Sequence, residues 1–161
     1  MQLNKENFIK SPFNYTGGKY KLLNQIIPLF PSEIDTFYDL FAGGANVAVN
    51  VKAKKIIAND IQHQVIQFLK ACKDHNCSYI LNKIDNLIDK YNLSKTNREG
   101  YFKLRDYYNK ENRDSIVFYT LTCYAFNHMI RFNKKCEYTY SFGKDRSSFN
   151  PTMRELNKVY L

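Results

Sequence analysis

Apolar positions change their period as the chain is read from its N-terminus. Between Lys19 and Leu29, residues Leu22, Leu23, Ile26 and Ile27 fall close to helical spacing, and Pro28 and Pro31 close the stretch. Thr36-Phe37-Tyr38-Asp39-Leu40-Phe41 is a short apolar run ending in Ala42-Gly43-Gly44-Ala45, which predicts a strand followed by a glycine turn. A second periodic stretch, Asn46 to Lys54, predicts a helix leading to the strand candidate Lys55-Ile56-Ile57-Ala58. Strand, glycine turn, helix, strand is the first unit of a parallel α/β sheet. After Asp60 the pattern is helical throughout. Val65, Ile66, Phe68 and Leu69 line one helix, and Ile80, Ile84, Leu87 and Ile88 another. Tyr101, Phe102, Leu104, Tyr107 and Tyr108 mark a third, and Ile116 to Phe126 a fourth. Asn-Leu-Ser-Lys-Thr-Asn at 92–97 reads as a loop. From Asn127 onward the period fades into a basic, aromatic and polar segment, where irregular structure and contacts are expected.

Composition narrows the class. A chain of 161 residues suits one domain or two small ones, and no Pro-, Gly- or Ser-rich linker or internal repeat divides it. An apolar fraction of 44% with 16% aromatics excludes a disordered chain. No run of about 18 apolar residues exists, so no membrane-spanning helix is expected. The polar stretch Met1 to Lys10 does not read as a secretory signal. Cys72, Cys77, Cys123 and Cys136 form no C-x-x-C pair, so reduced thiols and a cytoplasmic location are expected. These cysteines and His63, His75 and His128 show no metal-ligand spacing, and no metal site is expected. The formal charge is +9, with 12 basic and 8 acidic groups in residues 1–97 and 12 and 7 in residues 98–161. The excess is spread over the chain, which favours a polyanionic partner such as nucleic acid as much as plain solubility.

Three motifs carry candidate chemistry. In Asp39-Leu40-Phe41-Ala42-Gly43-Gly44, glycines let backbone approach a ligand closely, and the expected helix would present its N–H groups. Asn59-Asp60 ends the second strand sixteen residues beyond Gly44, where a carboxylate can accept hydrogen bonds from two ribose hydroxyls. The alternative is an ordinary turn with an exposed Asp, and the absence of G-x-G-x-x-G disfavours a nicotinamide site. Phe13-Asn14-Tyr15-Thr16-Gly17-Gly18-Lys19 lacks the full P-loop spacing, which excludes nucleotide triphosphate hydrolysis on that motif. What remains is a glycine turn that brings a cation and an aromatic ring to one place, or a helix cap with a solvated lysine. Phe126-Asn127-His128-Met129-Ile130-Arg131-Phe132-Asn133, continuing to Tyr140-Ser141-Phe142-Gly143-Lys144, sets Arg and Asn among aromatics, as base-edge readout and stacking require. Lys134, Lys135, Lys144 and Arg146 would neutralise flanking phosphates. A half-buried aromatic segment with a solvated basic face fits the same residues.

In order and spacing these motifs resemble the Dam-like family of S-adenosylmethionine-dependent DNA adenine methyltransferases. Pro12, Phe13, Tyr15 and Gly17 to Lys19 match the family's Pro-Phe-x-[WY]-x-Gly-Gly-Lys. Tyr38 to Gly44 is similar to its central-strand motif, and Asp60 matches its acid after the second strand. Asn127, Arg131, Phe132, Asn133 and Phe142 to Lys144 match its recognition segment, and Tyr101-Phe102-Lys103-Leu104-Arg105-Asp106 also has a counterpart.

The resemblance implies an α/β fold, an incomplete Rossmann-like methyltransferase sheet with an inserted, mostly helical DNA-recognition region. Residues 1–70 would form the cofactor-binding part, 71–150 the target-recognition region, and 151–161 the start of the return to the methyltransferase domain. It implies S-adenosylmethionine held by Tyr15, Gly17, Gly18, Lys19, Asp39, Phe41, Gly43 and Asp60, with Asp60 on the ribose. It further implies double-stranded DNA read by Asn127, Met129, Arg131, Asn133 and Lys144, in DNA modification or restriction-modification. The adenine would be flipped from the duplex so that its amine attacks the methyl carbon. The family motif that holds this amine, [DNS]-P-P-[YFW], is absent here: the prolines are Pro12, Pro28, Pro31 and Pro151, and no two are adjacent. The expectation is therefore a fragment, with the strand at 36–41 as an exposed apolar edge and a complementary polypeptide carrying the catalytic half. A non-catalytic DNA-binding or cofactor-sensing module and an inert truncated remnant are the alternatives.

Overall fold

A computed structural model describes residues 8–160, with side chains described through residue 155. The first periodic block is a composite helical segment: a 3-10 turn Tyr20–Leu22, helix α1 Leu23–Ile26, and a second 3-10 turn Ile27–Leu29. Only Leu23 of α1 is fully enclosed. Strands β1 Thr36–Asp39 and β2 Lys55–Ala58 pair in parallel, with Thr36 opposite Lys55 and Asp39 opposite Ala58. Leu40 and Phe41, expected in the strand, lie beyond its end because the chain turns there: the Ala42 N–H donates to the Asn59 carbonyl at 2.9 Å.

The helix expected at 46–54 does not form. Residues 42–51 are mostly turns, and their helix-type bonds, Val49 N–H to Ala45 and Val51 N–H to Val47, are not consecutive, since the Asn50 N–H between them also turns back to Val47. Side chains compete with the helical ladder. The Asn50 amide donates to the Asn46 carbonyl at 2.7 Å, the acceptor a helix would give its own N–H. Asn46 and Asn50 also accept from the Ser11 and Ile9 N–H groups at 2.9 and 2.8 Å, which straps the run to the N-terminal segment. Ala45 is left-handed, with φ of 60°, at the point where the helix would begin.

The predicted helices follow: α2 His63–Asp74, α3 Cys77–Tyr91, α4 Arg98–Lys110 and α5 Ser115–Tyr124. Their ends carry side-chain caps. Asn76 accepts from Tyr79 N–H, Asn97 from Gly100 N–H, and Asp114 from both Ile116 and Val117 N–H. Asn92 ends α3 in the left-handed conformation and opens the 92–97 loop. Every residue of α5 from Ile116 to Tyr124 is buried, which makes it the central helix, packed on by α2, α3 and α4. A sixth helix, α6 Pro151–Tyr160, was not anticipated, although Asn150-Pro151 is a cap followed by proline at the first helical position. The Asn150 side chain accepts from Met153 N–H at 2.9 Å, and Arg154 forks onto Asp85 of α3.

The aromatic load fills the space around α5. Phe68 stacks on Tyr119 with centroids 4.2 Å apart, and Phe13 meets both rings edge-on at 5.3 Å. Phe13 thus plugs the loop that precedes Tyr15 into the helical core. Helix α2 runs unbroken across residue 70 and places Val65, Phe68 and Cys72 in this same core. All four cysteines are free thiols, and burial pushes those of Cys72 and Cys123 up to about 12. No helix among the described residues is long and apolar enough to cross a membrane.

The sheet is the opposite of this core. Parallel strands normally lie buried under both faces. Here Tyr38, Leu40, Phe41, Ile56 and Ile61 are exposed, Phe41 at 90% and Ile61 at 97%. Among the described residues β1 pairs with β2 alone, which leaves its other side as the expected edge.

Phe68→Ala removes the ring shared by Phe13 and Tyr119 and is expected to cost about 3–5 kcal/mol of stability. Asp114→Ala, which strips the cap of α5, is expected to cost about 1 kcal/mol. Urea unfolding followed by far-UV circular dichroism checks both, and the order of the two losses is the decisive outcome.

Candidate functional site

The glycine turn after β1, the loop after β2 and the 15–19 loop meet at a cleft of about 290 Å³. Tyr15, Gly17, Gly18, Lys19, Asp39, Phe41, Gly43 and Asp60 all line it, joined by Thr16, Ala42, Gly44, Asn46 and Val47. Asp60 ties the three segments together. One carboxylate oxygen accepts from the Gly43 N–H at 2.7 Å; the other accepts from the Tyr15 hydroxyl at 3.3 Å and from the Gln62 N–H at 2.9 Å. Gly43 is left-handed, with φ of 52°, and a Cβ there would sit 3.0 Å from the Tyr15 ring. Both facts call for glycine. Gly17, with φ of 77°, turns the other loop so that the Lys19 ammonium folds back on its carbonyl at 2.8 Å.

The cleft holds two carboxylates and one ammonium. Burial raises the Asp39 pKa, the nearby Asp60 charge adds to this, and a hydrogen bond from the Ala48 N–H opposes it. Tyr15 is raised by burial and by Asp60. Because no helix follows the glycine turn, the anion-binding N-terminus expected there is absent; the N–H of Gly43 is spent on Asp60.

The 127–144 segment lies beside this cleft. Asn127 and His128 are both left-handed, with φ of 52° and 56°. The Asn127 carbonyl accepts from the Asn14 side chain at 3.0 Å, and the Met129 sulfur from the Thr16 hydroxyl at 3.8 Å. From the core side, the buried Tyr138 donates its hydroxyl to the Met129 carbonyl at 2.7 Å. Residues 131–139 form a small hairpin in which Phe132 bridges Tyr138 and the Thr139 N–H donates to the Arg131 carbonyl at 3.0 Å. Asn127 and Arg131 are exposed, as are Lys134, Lys135, Lys144 and Arg146. Arg131 forms no ion pair among the described residues. Asn133 is used differently: its side chain accepts from the Lys135 and Glu137 N–H groups and donates to the Glu137 carboxylate at 2.7 Å, so it holds the hairpin loop. Asn14 and Thr16 were not singled out from sequence, because both stand between the motif residues that draw attention.

Residues 15–160 match the family described as D12 class N6 adenine-specific DNA methyltransferase. The chain belongs to that family. It is 50% identical over 149 residues to the type II methyltransferase M.FokI of Planomicrobium okeanokoites, an alignment that covers 92% of this chain and 23% of that protein. It is 44% identical over 149 residues to the modification methylase StsI of Streptococcus sanguinis, again 92% of this chain and 23% of that protein. Identity to the DNA adenine methylase of Escherichia coli K12 is 25% over 140 residues, 85% of this chain and 49% of that protein. The chain therefore spans about a quarter of the length of the first two relatives and half of the third. Its family consists of DNA adenine methyltransferases, and methyl transfer implies a methyl donor.

The Asp39 carboxyl gives this D12 chain a pH signature. Its pKa is raised on folding, so the folded state binds the proton more tightly than the unfolded state. Stability therefore falls as pH rises from the ordinary carboxylate range through the raised pKa, and stays lowered above it. Asp39→Asn is expected to be more stable than the parent at pH 7, with the gain vanishing near pH ~4. Urea melts of both proteins across this range check it; a pH-independent difference would assign the effect to packing.

Proposed function

We propose that the protein carrying this chain is a site-specific DNA adenine methyltransferase that modifies the exocyclic amine of adenine in duplex DNA, within DNA modification or restriction-modification. In this reading the donor is S-adenosylmethionine. Residues 1–70 form the cofactor part and 71–150 the helical target-recognition region, the change of role falling within α2. Residues 151–161 lead back toward the methyltransferase domain and an incomplete Rossmann-like sheet. A cytoplasmic setting with reduced thiols suits it. The observation that carries the reading is convergence: eight residues spread over 46 positions of sequence line one cleft.

The chemistry of the cleft fits the cofactor. Two carboxylates and one ammonium leave it one negative charge, against a ligand with a sulfonium, an ammonium and a carboxylate. Asp60 is the acceptor for ribose hydroxyls, which would replace its Tyr15 and Gln62 partners. Tyr15 and Phe41 offer rings, Gly17, Gly18 and Gly43 close backbone approach, and Lys19 a cation. Bound S-adenosylmethionine supplies an electrophilic methyl group. Asn127, Met129 and Arg131 face the base edges, Lys144 the phosphates, and Asn133 contributes through the loop it holds. The groups that position the adenine amine are not among these residues, which contain no Pro-Pro pair. We assign them to a complementary polypeptide or segment seated on the exposed sheet surface of Tyr38, Leu40 and Ile56. For the chain alone, the missing motif favours the second reading, a binding module without chemistry.

Calorimetric titration with S-adenosylmethionine is expected to show binding that Asp60→Ala weakens at least about tenfold, the loss of hydrogen bonds to a charged acceptor. Arg131→Ala is expected to weaken a preferred duplex by about 1–3 kcal/mol and random duplex far less. Unchanged cofactor affinity in Asp60→Ala would overturn the site, and equal weakening on all duplexes would make Arg131 a phosphate contact.

A further inference from the structure

The 14–16 segment has two neighbours. Tyr15 and Thr16 line the proposed cofactor cleft, while Asn14 does not. Asn14, Tyr15 and Thr16 also line a second cavity, of about 160 Å³, closed by Gln62 of the loop before α2 and Ile130 of the recognition segment. The same segment makes two contacts with residues 113 positions away in sequence, Asn14 to the Asn127 carbonyl and Thr16 to the Met129 sulfur. The first is the stronger, at 3.0 Å against 3.8 Å.

Asn127 holds a backbone conformation that a non-glycine residue adopts at a cost, and His128 repeats it. The peptide between these two left-handed residues is bonded at both its N–H and its C=O, and these bonds fix where the Cα of Asn127, and with it the side chain, stands against the 14–16 segment. The His128 N–H reaches the Ala125 carbonyl and the Met129 N–H that of Phe126, both on the near side of the turn. The Asn127 carbonyl is held by Asn14.

We propose that Asn14 is a positioning residue for sequence readout: through the Asn127 carbonyl it sets the direction in which the Asn127 side chain meets a base edge, with Thr16 seconding it at Met129. This rests on the assignment of Asn127 to DNA reading. Asn14 touches neither cofactor nor base in this scheme. It transmits the position of the cofactor loop to the recognition segment, so a base is read correctly only when that loop is in place.

The test uses the intact protein and a duplex selected from a randomised library by the parent. Asn14→Ala and the isosteric non-donor Asn14→Asp are expected to lower the ratio of selected over random affinity about fivefold or more, the size of one misplaced base contact. S-adenosylmethionine affinity and random-duplex affinity should stay within twofold of the parent, which a merely structural role would not spare. The decisive arm is Asn127→Gly, which keeps the left-handed backbone and deletes the reading side chain. In that background Asn14→Ala is expected to add nothing, because Asn14 acts through Asn127. A full further loss there, or an unchanged ratio when Asn14→Ala is made in the otherwise parental protein, overturns the proposal. Failure of the underlying assignment is seen separately, as an Asn127→Gly protein with the parent's selectivity, and this overturns the positioning role with it.

Discussion

Three bonds to the Asp60 carboxylate hold the candidate site in one piece. The 15–19 loop, the glycine turn after β1 and the loop after β2 share no regular secondary structure, and each is an irregular segment with backbone conformations of its own. Gly43 N–H, Tyr15 hydroxyl and Gln62 N–H converge on this one side chain. A charged acceptor is suited to the task, since hydrogen bonds to an ionised group are worth about 1.5–3 kcal/mol where neutral ones give about 1. The same lone pairs are what a ribose would seek. Asp60 is therefore both the clasp of the unliganded cleft and its chief acceptor, and a ligand there exchanges bonds with the protein instead of filling unused ones.

The helical body serves this cleft from a distance. Helix α5 is apolar on every side and can only be central; α2, α3 and α4 bury their apolar stripes against it. That packing also fixes a loop. Phe13, two residues before Tyr15, meets the stacked Phe68 and Tyr119 rings edge-on and so ties the start of the 15–19 loop to the core. Tyr138, buried against Phe118 on another side, anchors Met129 of the recognition segment in the same way. One aromatic cluster therefore supports both functional segments, and the unusual number of Tyr and Phe residues has a structural role.

Much of this was legible in the sequence because it rests on period and spacing. Both strands and the four long helices follow from apolar recurrence and the 92–97 loop from its polar run, while the set of eight cleft residues comes from the family resemblance carried by the motifs. The failures share a physical cause. The helix expected at 46–54 has the apolar pattern of a helix, but the Asn46 side chain is spent on Ser11 and that of Asn50 on Ile9 and the Asn46 carbonyl, the first two being tertiary contacts that no local pattern records. Asn133 carries the right type of side chain for a base and uses it on its own hairpin. Asn14 is the opposite case: an exposed Asn between two motif residues acquires meaning only when a segment 113 residues away comes to rest on it. Helix α6 was the one omission with a local signal, in Asn150-Pro151.

The two segments reach unusual backbone conformations by different means. The loops of the cleft use glycine at positions 17 and 43, where left-handed φ carries no steric penalty, beside a left-handed Ala45, and the bonds to Asp60 hold their shape. The 127–145 segment uses Asn127, His128, Cys136 and Asp145, each at a φ between 52° and 60° and each at a cost of order 1 kcal/mol. Its shape must therefore be imposed by contacts, from Asn14 and Thr16 on one side and Tyr138 on the other. A glycine at 127 would relieve the strain and lose the side chain that faces outward. Retaining a strained Asn makes sense only where the group it presents is worth the strain, and where neighbours hold it in place. In this chain some of those neighbours, Asn14 and Thr16, belong to the loop beside the cleft, which ties the geometry of the 127–129 turn to that of the cleft.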